Sequence, residues 1–138
     1  MAGQRAVQAF QAAPIESGYL AFTPTPHQYM PLFVADRKIA IESVIVRYRT
    51  AAAGITGTLS KQVSGTAFSS GSPAPTAMTD AIDFATADTN QTGVFVKTSG
   101  VPSANIVEAG SCVGIVLSGA AGLLAGVSIS IRYTTVLI

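Results

Sequence analysis

Charge is scarce in this chain: Asp, Glu, Lys and Arg make up only 11% of its 138 residues, eight basic against seven acidic. There is one cysteine, one histidine and no tryptophan. Each shortage removes a class of function. A lone Cys112 cannot form an internal disulfide or a paired-cysteine metal site. A lone His27 rules out a His-rich metal centre and obliges any catalytic triad to use that residue. The basic residues are dispersed, the densest group being Arg37, Lys38, Arg47 and Arg49, so the clustering of a direct nucleic-acid binder is missing. The N-terminal stretch "MAGQRAVQAFQAAPIESG" is interrupted by Gln4, Gln8 and Gln11 and lacks the apolar core of a signal peptide. No cofactor or metal is expected.

What is present is apolar and small. Hydrophobic residues account for 49% of the chain, which excludes disorder as the main state, and the length suits one domain with a real core. So little charge leaves much of the surface to Ala, Gly, Ser and Thr, and such a surface favours association. An oligomer or an assembly component is expected.

Residues 109–131 carry no charge at all and are long enough for a membrane span. Their interior argues against one. Glycines at 110, 114, 119, 122 and 126 interrupt the run, and Val127, Ile129, Ile131 and Tyr133 alternate with Ser128, Ser130, Arg132 and Thr134. That period of two belongs to a half-buried strand, and it continues through Arg132 where a membrane helix would have ended. "CVGIVLS" upstream is short and β-branched, so the run reads as two strands with a Gly-rich connection. No membrane partner is expected.

The rest of the chain has the same character. Pro24, Pro26 and Pro31 confine "GYLAFTPTPHQYMPLFVA" to edge strands and turns. "KIAIESVIVRYR" is the strongest internal strand: Ile39 and Ile41 share one phase, Val44, Val46 and Tyr48 the other, so a bulge or sheet corner is expected near Glu42 and Ser43. Further strands are expected over residues 55–63, within "AIDFA", over "GVFVKT" and over "IVEAGSCVGIVLS", with "GVPSAN" as a turn. About eight strands and no long helix predict an all-β fold: a single antiparallel β-sandwich, jelly-roll-like, over residues 15–138. Residues 1–14 form an N-terminal arm, with a short helix possible over "RAVQAFQAA". Such an arm lies on its own domain or crosses to a neighbour, the alternative being a disordered terminus.

Candidate chemistry is thin. His27 and Cys112 could meet in space, but neither sits in a nucleophile elbow or an oxyanion-type glycine loop, and an enzyme is not expected. Asp80, Asp83 and Asp88 are the only acidic cluster, at a spacing that matches no calcium loop; turn and cap roles suit them better. Tyr19, Tyr29, Tyr48 and Tyr133 fall at strand core or rim positions. The interface candidates are Arg5 and Phe10 in the arm and Val136, Leu137 and Ile138 in "TTVLI", where apolar residues need a core or a partner to cover them.

The ordering of a Gln/Ala-rich arm, "KIAIESVIVRYRTAAAGITGTLSK", "GTAFSSGSPAPTAMTDAIDFATA" and "NIVEAGSCVGIVLSGAAGLLAGVSISIRYT" resembles the small capsid decoration, or cement, proteins of tailed bacteriophages, over residues 36–138. The family turn often carries a charged residue after the position of Gly110, where this chain has Ser111 and Cys112. The resemblance implies a homotrimer on the outer surface of the capsid, assembled in the host cytoplasm and bridging major capsid proteins, with no catalytic residues. A receptor- or glycan-binding β-sandwich on a virion surface or tail fibre is the other expectation.

Overall fold

The computed structural model describes residues 17–49, 54–84, 86–98, 101–102, 104–118 and 125–136. Among them no helix occurs, and twelve strands form two packed antiparallel sheets and a small hairpin. Sheet A runs β1 (Ser17–Phe22), β12 (Ser128–Thr135), β3 (Ile39–Arg47), β10 (Ile106–Val107), with β7 (Gln91–Thr92) also on β3. Sheet B runs β2 (Tyr29–Val34), β11 (Cys112–Leu117), β4 (Thr56–Gln62), β5 (Thr76–Ala77), with β6 (Ile82–Asp83) also on β4. Early strands pair with late ones while the chain passes between the sheets, which is the double-sheet winding of a jelly roll. The uncharged run of residues 109–131 contributes β11 and the start of β12, as its alternation requires.

The phase change in β3 is a bulge. Arg132 pairs with Ser43 and Tyr133 with Ile41, so Glu42 is the extra residue on β3. Glu42 is exposed, and the slip lets Ile39 and Ile41 share the core with Val44, Val46 and Tyr48. Opposite them lie Ile129 and Ile131 from β12, and the second sheet supplies Leu59, Val113, Ile115 and Leu117. Each such fully buried side chain contributes about 1.5 to 3 kcal/mol over an exposed one. Tyr48 closes the far end of this core. Its ring stacks on Phe84 at 5.2 Å, and its hydroxyl donates to the Asp83 carbonyl at 3.0 Å while accepting the Thr86 N–H at 2.8 Å. At the other end Lys61 reaches from sheet B to sheet A, its Nζ donating to the Ile106 carbonyl at 2.6 Å.

The prolines fall where their missing N–H does least harm: Pro31 lies in β2, the edge of sheet B, and Pro24 and Pro26 in the crossing from β1 to β2. Two local expectations change: of "GVFVKT" only Lys97 and Thr98 lie in a strand, with Phe95 making an isolated bridge to Thr79. Around "GVPSAN" the chain forms a hairpin, β8 (Lys97–Thr98) against β9 (Val101–Pro102), where the Gly and Pro pattern alone suggested a simple turn.

Candidate functional site

The two sheets present their outer faces differently. On sheet B, Thr58, Ser60 and Gln62 from β4 stand beside Cys112, Gly114 and Val116 from β11 on the side away from the core. Residues 64–75 fold back over this face. Gln62 Nε2 donates to the Ala67 and Pro73 carbonyls at 3.3 and 2.7 Å, and Phe68 meets Tyr29 edge to face at 6.3 Å. Gly114 makes room for that ring: a Cβ there would stand 2.8 Å from Phe68 and 2.3 Å from the Met30 carbonyl oxygen. Ser60 and Gln62 are buried as a result.

Sheet A has no such cover among the described residues. Its outer face is a lattice of Ser17, Tyr19 and Ala21 beside Ser128, Ser130, Arg132 and Thr134, then Ala40, Ile45 and Arg47, then Thr92. Tyr19 is 62% exposed directly opposite Arg132, and Ile45 is also exposed. Arg47 is steadied by Asn90 at 3.4 Å. The face is rich in hydroxyls and carries few charges.

Among the described residues, the side of the sandwich where the edge strands β1 and β2 face each other is open. Phe22 and Phe33 stack across it at 5.8 Å. On one side of the stack lies a cleft of 270 Å³ walled by Leu20, Phe33, Ile39 and Tyr133, with Asp36 and Arg37 at its mouth. On the other side a shallower depression of 260 Å³ is lined by Phe22, Pro24, Pro31 and Leu32. Thr135 lines the larger cleft and its Oγ1 is buried without a hydrogen-bond partner among the described residues. The Tyr133 ring lies over Gly18, where any Cβ would fall 2.1 Å from the ring. Ser17 pairs with Thr134, so the start of β1 and the end of β12 lie side by side, at the end where this cleft opens.

Of the sequence-predicted interface residues, Val136 lies at this place. It is half-buried, and its N–H donates to the Lys38 carbonyl at 3.0 Å, carrying the pairing one step past β12. Arg5, Phe10, Leu137 and Ile138 lie outside the described residues. The other candidates are dispersed. Cys112 starts β11, whereas the loop holding His27 reaches its finish, where Leu117 N–H donates to the Gln28 carbonyl; at strand rise the two ends are about 17 Å apart. Burial also pushes the Cys112 thiol up, away from the thiolate a nucleophile needs. Asp83 accepts the Thr86 hydroxyl at 2.8 Å, and Asp88 holds a turn at a φ of 56° with its N–H on the Tyr48 carbonyl. No group of three or more His, Cys, Asp or Glu side chains converges among the described residues.

The covering of sheet B and the open β1–β2 edge were missed from the sequence. Two signals bear on the first: Phe68 is a lone aromatic in a Ser/Gly/Pro-rich segment, and Gly114 is a gap in an otherwise β-branched strand. No family model, curated protein or solved structure matches the chain, and its function is therefore approached from this geometry.

Proposed function

We propose that this chain is a structural virion protein of the decoration, or cement, class, a homotrimer that sits on the outside of a phage head and stabilises it by bridging major capsid proteins. The observation that carries the reading is the asymmetric sandwich: one face sealed by the chain's own loop, the other weakly charged and uncovered among the described residues. A sheet face with few charges costs little to desolvate and suits contact over area. The work is then mechanical. Trimerisation covers apolar surface, and the arm and outer faces add contact area between neighbouring capsomers.

The first test is the solution mass of the purified protein by light scattering. A stable species near three times 14.1 kDa supports the reading, and co-sedimentation with undecorated capsids then checks attachment. Removing residues 1–14 is expected to leave the fold intact and weaken attachment; undiminished binding would refute the role of the arm.

A second reading has one observation in its favour. The exposed Tyr19 ring, set beside Arg132 and among serine and threonine hydroxyls, is the kind of platform on which a sugar ring can stack. Saturable glycan binding by the isolated protein, lost in Tyr19→Ala, would put a receptor-binding module ahead of the cement reading.

A further inference from the structure

The outer face of sheet A carries two arginines, and among the described residues no carboxylate pairs with either. The register sets Tyr19, Arg132 and Ser43 in one row across β1, β12 and β3, Ser128 and Arg47 in another, and Ala21, Ser130 and Ile45 in the row between. Four residues of strand and one step between strands separate the two arginines, about 14 Å between Cα atoms. We propose that this face docks a carboxylate-bearing protein surface, two of whose acidic side chains meet Arg132 and Arg47 at a comparable spacing. The proposal names the chemistry of the capsid partner in the reading above and rests on it.

Charge complementarity leads to this partner. Arg37, Lys38 and Lys61 are engaged within the chain: Arg37 pairs with Asp36 at 3.3 Å, Lys38 with Glu108 at 3.5 Å, and Lys61 donates to the Ile106 carbonyl. Arg132 and Arg47 are exposed, and the one side-chain bond either makes among the described residues runs from Arg47 to the neutral Asn90 amide at 3.4 Å. Exposed Glu42, at the bulge beside the Arg132 row, belongs to neither ion pair. Each guanidinium presents a planar fork of donors that matches a carboxylate. Tyr19 opposite Arg132 and Ile45 between the arginines are exposed as well, and arginine with an aromatic residue and no lysine is the composition enriched in protein interfaces. Two other occupants fit this pattern less well. A nucleic-acid backbone sets charges every few ångströms, whereas an uncharged row separates these arginines. A second copy laid face to face would make a two-fold contact, while a closed trimer is built from heterologous ones.

The test measures attachment of the full-length protein to undecorated capsids by co-sedimentation. Arg47→Glu and Arg132→Glu are each expected to weaken attachment about tenfold, by setting like charges against the partner. Arg47→Gln and Arg132→Gln, which remove the charge without reversing it, should give smaller losses, and wild-type attachment should weaken as salt is raised. Lys97→Glu, the same charge change in the β8–β9 hairpin outside sheet A, should attach like wild type. Arginine variants that attach like wild type overturn the proposal, and so does a Lys97→Glu loss of equal size, which would make overall charge the cause. A fall in oligomer mass by light scattering in either arginine variant would place the face between copies, and arginine-dependent binding of a single-stranded DNA oligonucleotide would make the partner a phosphate backbone; each also overturns it. These failures in a wild type that attaches to capsids leave the cement reading standing, whereas a wild type that does not attach removes both.

Discussion

Sheets A and B draw on similar residues, β-branched side chains facing in and small or hydroxylated ones facing out, yet one outer face is covered and the other bare among the described residues. The difference rests on Gly114 and Phe68. On sheet B the missing side chain at Gly114 lets an aromatic ring settle against the strand, and the Gln62 amide ties the loop's carbonyls down on either side of that ring. On sheet A the matching outward positions hold Ser130, Arg132 and Ser43, which give no such recess. A face left bare among the described residues has to be tolerable to water, and its hydroxyls make it so, while Tyr19 and Ile45 leave some apolar area exposed on it.

The comparison breaks most severely at Gly114. Gly114→Ala puts a methyl group against the Met30 carbonyl and the Phe68 ring, so the β2–β11 pairing or the loop must shift, at a cost of about 3 kcal/mol in urea unfolding. Ser130→Ala, its counterpart on sheet A, should stay within about 0.5 kcal/mol of wild type. Equal effects at the two positions would show that the faces do not differ as described.

Phe68→Ala should cost less, about 1 to 2 kcal/mol, since the ring is only half-buried. Hydrogen exchange should rise over residues 64–75 and in β11 while β12 and β3 keep their protection. Faster exchange spread evenly over both sheets would contradict a local cover.

Tyr48→Phe removes one donor and one acceptor role and leaves the Thr86 N–H without its partner, for about 1 to 2 kcal/mol. It also carries a pH signature. Burial, with the Asp83 charge adding to it and the Thr86 N–H opposing it, holds the Tyr48 phenol above its ordinary 10.0. The unfolded chain ionises first, so this contribution is whole below pH 10 and fades as pH rises through the folded value. Lys61 runs the other way: burial, opposed by Glu108, lowers it from 10.5, so its contribution grows with pH as that value is approached from below. Tyr48→Phe should remove the alkaline decline, and a titration of stability between pH 9 and 11 that matches wild type in shape would count against the bridge.

Arg132→Glu on the bare face should have the smallest effect on folding, within about 0.5 kcal/mol, because the side chain is exposed. Its consequence belongs to binding. If sheet A is the contact face, capsid co-sedimentation should fall while the unfolding curve stays put; full attachment would move the contact elsewhere.

Strand content was legible because its cause is local. Alternation in residues 127–134 reports which side of a strand faces oil and which faces water, and the phase change at Glu42 can mean little but a bulge or corner, since a slip of one residue turns every side chain over. The jelly-roll class followed from the number of strands and their Gly and Pro punctuation. Tertiary structure alone decided the rest. That Phe68 lies on Gly114, 46 positions away in sequence, that Lys61 bonds the carbonyl of Ile106, and that β1 and β2 leave an apolar cleft between them are long-range meetings with no local periodicity to announce them. They arise from how two sheets twist and close on one another, and that closure, rather than any short motif, determines which surface is sealed and which stays bare among the described residues.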